Sequence, residues 1–218
     1  MIIFSHRQDC RDYLEQYFIL RKNIFCDSLE WVKPNADGTE TDRLDEEQSY
    51  YILFANPVTD EVQGGLRLVP TIGNTLIHTV WSDLLPERDD FCSPCIWEVS
   101  RFCVRKAANP PRYGGLINRV SLSLLLAIPV FAAEFGISLF IAVCHDRLIH
   151  LFKVIGFPPD VIATKKDICG QDLSSVIWPA GLEFVNNPRL MQQADEPRQM
   201  PDLRAFHRGQ GLPVIGNC

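Results

Sequence analysis

No apolar segment of the 218-residue chain is long and unbroken enough to cross a bilayer. The longest run, residues 117–140, is interrupted by Asn118, Arg119, Pro129 and Glu134, which suits a buried helix. No secretory leader is expected from the first residues either: apolar Met1-Ile2-Ile3-Phe4 gives way at once to Ser5-His6-Arg7-Gln8. Positive charge is scarce, with 21 Lys and Arg against 27 Asp and Glu and a net charge of −6. Phosphate-rich partners call for clustered bases, so this balance argues against nucleic acid as the main partner. No stable membrane insertion is expected, and a cytoplasmic location is. There is no internal repeat. Among the eight cysteines only Cys92-Ser-Pro-Cys95 forms a close pair, without the second pair or spaced histidines of a structural zinc site. No metal is therefore expected, and Cys103, Cys144 and Cys169, in or beside apolar runs, read as reduced, mostly buried thiols.

What is present is enough for a core. Hydrophobic residues make up 46% of the chain, which fits one α/β domain over 1–187 followed by a polar tail over 188–218. Residues 8–26 carry a helical stripe on which Arg21 and Phe25, four apart, share a face. Residues 32–41 are turn-rich and read as a loop. Strands are predicted over 50–55 and 62–69, as a hairpin in which Gly64-Gly65 signals a bulge or a close backbone approach. A further extended piece is predicted over 75–80, and a strong strand over 95–104. Alternation there places Trp97, Val99 and Arg101 on one face and Glu98, Ser100 and Phe102 on the other, unless a bulge intervenes. A long helix to about residue 135, a strand over 137–144, a helix over 147–154 closed by Gly156, and strand-like pieces over 160–164 and 174–178 complete the pattern. An antiparallel first half followed by strand–helix–strand–helix predicts a three-layer α-β-α sandwich around a twisted mixed sheet, like that of N-acetyltransferases.

The residues that look chemically purposeful fall into three clusters. Glu40, Asp42 and Asp45 stand at the end of the loop, either as a solvated acidic run or as acids facing a pocket. Glu98, in the middle of an apolar strand, costs free energy unless it is paired or used. Its plain reading is an ion pair with Arg67 or Arg101; its functional reading is a general base with a raised pKa. Arg21, Phe25 and Trp31 form the third cluster, which alone would read as core packing and a surface arginine.

In order and spacing, Arg21-x-x-x-Phe25, Trp31, Glu40-x-Asp42-x-x-Asp45, Arg67 and Glu98-x-x-Arg101 resemble the acyl-homoserine-lactone synthases, the autoinducer synthases of bacterial quorum sensing. Residues 64–70 (Gly-Gly-Leu-Arg-Leu-Val-Pro) and 97–102 (Trp-Glu-Val-Ser-Arg-Phe) look like that family's signature stretches, and the likeness spans roughly residues 10–157. Trp81 departs from it, standing where the family usually has Phe. The resemblance implies an acyltransferase that joins an acyl group to the amine of S-adenosylmethionine, then lactonises the product and expels methylthioadenosine. Both substrates are consumed, so no cofactor is expected. The acyl donor would be a thioester of acyl carrier protein, or of CoA. Arg105, Lys106, Arg112, Arg119 and Lys153 would serve as its basic landing patch, and Gly114-Gly115 as a phosphate loop.

The same resemblance implies the roles of residues. Glu98, Asp45, Arg101 and Ser100 make up the expected catalytic group, with Glu98 as base and Asp45 holding the attacking amine. Arg21, Phe25, Trp31, Asp42, Asp45 and Arg67 would form the adenosylmethionine pocket. Phe102, Leu122 and Ala142 would bind the acyl tail, with Phe102, Leu122, Leu126 and Phe140 setting the floor of its pocket. Ala142 stands where members preferring 3-oxo chains carry a threonine, which implies a donor unsubstituted at C3. The alternative is another acyl-CoA-dependent N-acyltransferase of the same fold.

Overall fold

The computed structural model describes residues 1–6, 10–46, 49–87, 91–106, 117–156, 158–167 and 170–181, with the backbone alone at 112–113. The polar tail, Gly114-Gly115, Cys169 and the side chain of Arg112 lie outside the described residues.

In chain order the elements are β1 (Ile2–His6), α1 (Arg11–Arg21), α2 (Arg43–Glu46), β2 (Tyr50–Ala55), β3 (Val62–Pro70) and α3 (Leu76–Thr79). There follow β4 (Ile96–Val104), β5 (Arg112–Tyr113), β6 (Ile117–Asn118), α4 (Arg119–Phe135), β7 (Leu139–His145), α5 (Asp146–Val154), β8 (Asp160–Lys166) and β9 (Asp172–Pro179). Seven strands form one sheet in the order β1-β2-β3-β4-β7-β9-β8. All neighbours are antiparallel except β4 and β7, which are parallel and therefore need a crossover, supplied by α4. The expected three-layer mixed sheet is thus present. β1 was not expected; the apolar opening residues pair along β2 at the sheet edge.

Both faces of the sheet are covered, so β2 is buried at every position. Tyr50, Ile52 and Phe54 pack with α4, while Tyr51 and Leu53 pack with Leu14, Tyr17 and Leu20 of α1. α4 is apolar on most of its circumference, starts at Asn118, whose side chain accepts from the Val120 amide at 2.7 Å, and stops at Gly136 in the left-handed region. α1 runs on through a π-helical turn, Lys22–Cys26, which carries Phe25.

Two expectations change. Residues 76–79 are helical, not extended: β-branched Thr75, Ile77 and Thr79 favoured a strand, but the Thr75 hydroxyl pairs with His78 Nδ1 at 2.6 Å and opens a helical turn. And β4 does carry a bulge. Arg67 pairs with Ser100 and Gly65 with Cys103, so three steps on β4 face two on β3. At the bulge Arg101 adopts φ 55°, unusual for a side-chain-bearing residue, and the Tyr17 hydroxyl pins its carbonyl at 2.7 Å. Arg101 thereby moves to the face of Glu98 and Ser100, and Phe102 to the face of Trp97 and Val99, the reverse of simple alternation. Gly65 serves this junction, because a Cβ there would stand 2.8 Å from Tyr17.

Candidate active site

The acidic loop does not wave in solvent. α2 and the strand behind it turn Glu40 and Asp45 inward, where both are buried, against Arg21 and Arg67, which are each 0% exposed. Arg21 donates to Glu40 at 2.5 Å and grips both oxygens of Asp45 at 2.8 and 2.9 Å. Arg67 grips both oxygens of Asp42 at 2.6 and 3.1 Å and approaches Asp45 at 3.1 Å. Arg101 bridges Glu40 and Asp42, at 3.0 and 2.9 Å. Three guanidiniums thus neutralise three carboxylates, which is how charge survives in a low-dielectric interior. Burial alone would raise the Asp45 carboxyl, but Arg21 and Arg67 outweigh it and hold the group well below the usual carboxylate range.

β4 and β7 pair only from Ile96 with Leu139 to Glu98 with Ile141, then splay. A cavity of about 400 Å³ fills the wedge between them and opens on both faces of the sheet. On the α1 side Phe25, Trp31, Trp81, Ser100, Arg101 and His145 line it. Trp31 is 42% exposed and is held by its rings' neighbours, Phe25 at 5.8 Å and His145 at 4.8 Å, the latter reaching across from β7. On the α4 side the wall is apolar: Val99, Phe102, Leu125, Ala142, Val176 and Trp178.

Glu98 stands where the two chambers meet. It is 2% exposed. Oε2 accepts the Ile77 amide at 2.7 Å, while Oε1 is buried without a hydrogen-bond partner. Burial pushes the carboxyl up, against the opposing pull of the Ile77 amide, Arg67, the nearby Ser100 hydroxyl and Arg101. An oriented, poorly solvated carboxylate lining a cavity is equipped to take a proton.

Of the expected site residues, Glu98, Ser100, Arg101, Phe25, Trp31, Phe102 and Ala142 meet at the cavity. Arg21, Asp42, Asp45 and Arg67 are gathered behind it in the ion-pair network rather than in its lining. Asp45 spends its oxygens on Arg21, Arg67, the Tyr51 hydroxyl at 2.8 Å and the Asp42 amide at 2.8 Å. Leu122, Leu126 and Phe140 are buried outside the main cavity's lining, which takes Leu125 and Ile128 from α4 instead. The sequence did not single out His145, Trp178 or Phe152, nor the Ile77 amide. A backbone donor leaves no side-chain signal, and in a helix this apolar no stripe marks one leucine from the next.

Cys10 is an exposed free thiol, and Cys26, Cys103 and Cys144 are buried ones. Cys95 is disulfide-bonded, a departure from the expectation of reduced thiols. Burial pushes the Cys144 thiol, in the cavity wall, up to about 12, so it is protonated and no nucleophile. Among the described residues no cluster of His, Cys, Asp and Glu could hold a metal ion, and no helix is long and apolar enough to cross a membrane.

The family model for autoinducer synthases matches residues 5–183. The isovaleryl-homoserine lactone synthase of Bradyrhizobium diazoefficiens is 33% identical over 206 residues, covering 94% of this chain and 81% of that one. Among solved structures, the CoA-dependent acyl-homoserine lactone synthase BjaI with SAM and isopentyl-CoA superposes with a TM-score of 0.75 at 24% identity, over 92% of this chain and 95% of that one. A putative N-acetyltransferase from Lactobacillus plantarum shares the fold at a TM-score of 0.53 and 19% identity, over 83% of this chain and 97% of its own.

Proposed function

Because the chain belongs to the autoinducer synthase family, we propose that it is an acyl-homoserine-lactone synthase. It transfers an acyl group from a thioester to the amine of S-adenosylmethionine, and the acylated product closes to a lactone with release of methylthioadenosine. One observation carries the assignment of the chemistry: the buried, partnerless Oε1 of Glu98 at the junction of an aromatic, polar chamber and an apolar one.

The two chambers suit the two substrates. Phe25, Trp31 and Trp81 bring aromatic rings to the space for a cation and a purine. The apolar chamber takes an alkyl chain and brings the thioester carbonyl to the splayed edge of β4. There Glu98 removes a proton from the substrate ammonium, directly or through a water. The free amine attacks the thioester carbonyl and the thiolate leaves. Past Glu98 the edge of β4 is not taken up by β7, so a backbone N–H of residues 99–102 is the group to stabilise the oxyanion. In the second step the substrate carboxylate attacks the carbon beside the sulfonium. That carbon–sulfur bond breaks and neutral methylthioadenosine departs. Both steps gain from holding the chain folded. Arg21 and Arg67 act from behind, fixing the acidic loop, while Arg101 reaches from that network into the cavity and lies 5.5 Å over the Phe25 ring.

The test is mass spectrometry of lactones made by the full-length chain from S-adenosylmethionine and acyl thioesters of CoA and of acyl carrier protein, run side by side. The assay names the donor. Failure to form any homoserine lactone would overturn the proposal.

Two further results are expected from that assay. Ala142 offers no hydroxyl to a 3-oxo group, so an unsubstituted donor should outperform its matched 3-oxo counterpart; a clear preference for 3-oxo would sink this. His145 braces Trp31, and an aromatic pair is worth about 0.5–1.5 kcal/mol. His145→Ala should therefore raise KM for S-adenosylmethionine roughly two- to tenfold with kcat less affected, and His145→Phe should restore it. An unchanged KM would show that the stack does not position Trp31.

A further inference from the structure

Resting on the acyltransfer reading of the cavity, we infer that Trp178 is the end stop of the acyl chamber and that the donor carries a short alkyl chain. Trp97 pairs with Phe140, and Phe140 with Trp178, so three aromatic residues form one row across β4, β7 and β9. All three pack with α4, at 0%, 0% and 4% exposure. The row lies one residue below Glu98 and Ile141, the last pair before the strands splay.

Of this row Trp178 is the member that lines the main cavity, so it is the one that an acyl chain entering through the splay meets. Along the sheet the chain runs over Ala142 and Val176 toward β9, two strand spacings or roughly 10 Å from β4, with Leu148, Leu151 and Phe152 of α5 also lining the space. Trp178 stands across that path. Its ring is wedged against Phe140 at 5.6 Å and Phe152 at 5.1 Å, which leaves it little room to swing aside.

Beyond Trp178 a second, minute void of about 10 Å³ opens toward Pro179, Ala180 and Gly181. Leu125, Ile128, Phe152 and Trp178 touch both this void and the main cavity, so they are the partition between them. Trp178 is the bulkiest of the four, and its removal joins the two spaces. Up to the stop each buried methylene adds about three- to fourfold to kcat/KM. Past it, a longer chain has to displace packed rings and loses that gain.

The experiment is a donor series of butanoyl, hexanoyl, octanoyl, decanoyl and dodecanoyl thioesters, on CoA and on acyl carrier protein, with lactones quantified by mass spectrometry. The wild-type chain should peak at or below octanoyl and fall at least about tenfold by dodecanoyl. Trp178→Ala should move the peak to longer chains. Should that variant unfold, Trp178→Leu keeps an apolar filler, and Val176→Phe, which narrows the same path, should favour butanoyl over hexanoyl. A wild-type peak at decanoyl or dodecanoyl, or a profile unmoved by all of these changes, overturns the inference. Absence of lactone from every donor would instead overturn the acyltransfer reading on which it stands.

Discussion

Glu98→Gln is expected to lower kcat for lactone formation by about 10²–10⁴-fold, the usual contribution of a positioned proton acceptor, while the protein stays folded. The reason lies in the two oxygens. An amide oxygen still accepts the Ile77 N–H, so the side chain keeps its place, but no lone pair basic enough to deprotonate an ammonium remains. Stability should not fall with activity. Burial raises the folded-state pKa of Glu98, so its protonated form is favoured by folding. That contribution is fully present below the unfolded pKa and is lost as pH rises through the raised folded value. At neutral pH the ionised carboxylate is a burden that Gln removes, and Tm should be equal to or above that of the wild type. The same shift predicts that wild-type activity falls, on acidification, at a higher pH than an ordinary carboxylate base would give. Wild-type turnover in Glu98→Gln would remove Glu98 from the mechanism.

Arg21→Ala should have the largest effect on the fold. The guanidinium is fully buried and satisfies both Glu40 and Asp45. Removing it leaves carboxylates in the interior with half their partners gone, a loss that typically costs about 3–5 kcal/mol. For a domain of this size the corresponding drop in Tm is roughly 6–20 °C. The acidic loop should also loosen, because the Glu40 amide bonds to the Phe18 carbonyl at 3.1 Å and Arg21 is what holds the side chain beyond it. Calorimetry of the purified variant decides the matter, and an unchanged Tm would show the network to be dispensable. Acid should act on the same group. The folded pKa of Asp45 is depressed, so its contribution is present above the unfolded value and disappears as pH falls through the folded one. Stability should therefore decline below the ordinary carboxylate range, and Arg21→Ala should flatten that decline.

Much of this was readable locally. The continuous apolar run at Tyr50–Ala55, the Gly-capped helices α4 and α5, and the order of arginines, aromatics and acids along the first half all carry their own signals. The family resemblance rests on those same residues, and the family match agrees with it. What went unread depended on partners far away in sequence. Asp45 looked like a ligand contact because its residue type suits a cation, yet Arg21, Arg67 and Tyr51 together consume it. The strand propensity of residues 75–80 yielded to a helical turn whose amide serves Glu98, 21 residues on.

The sequence by itself determined the kinds of chemistry available: a carboxylate in an apolar strand, three arginines for three acids, aromatics for a cationic ring-bearing ligand, and an alanine where a hydroxyl would read a 3-oxo group. Only the tertiary structure decided which of them face the substrates. The bulge at Arg101 swaps that residue with Phe102 across the sheet, and the register of β4, β7 and β9 lines up Trp97, Phe140 and Trp178 in one row, of which Trp178 reaches the cavity. Residue type is a local property, whereas register and strand splay are set by pairing between segments tens of residues apart, and a one-residue shift there changes the face of every side chain that follows.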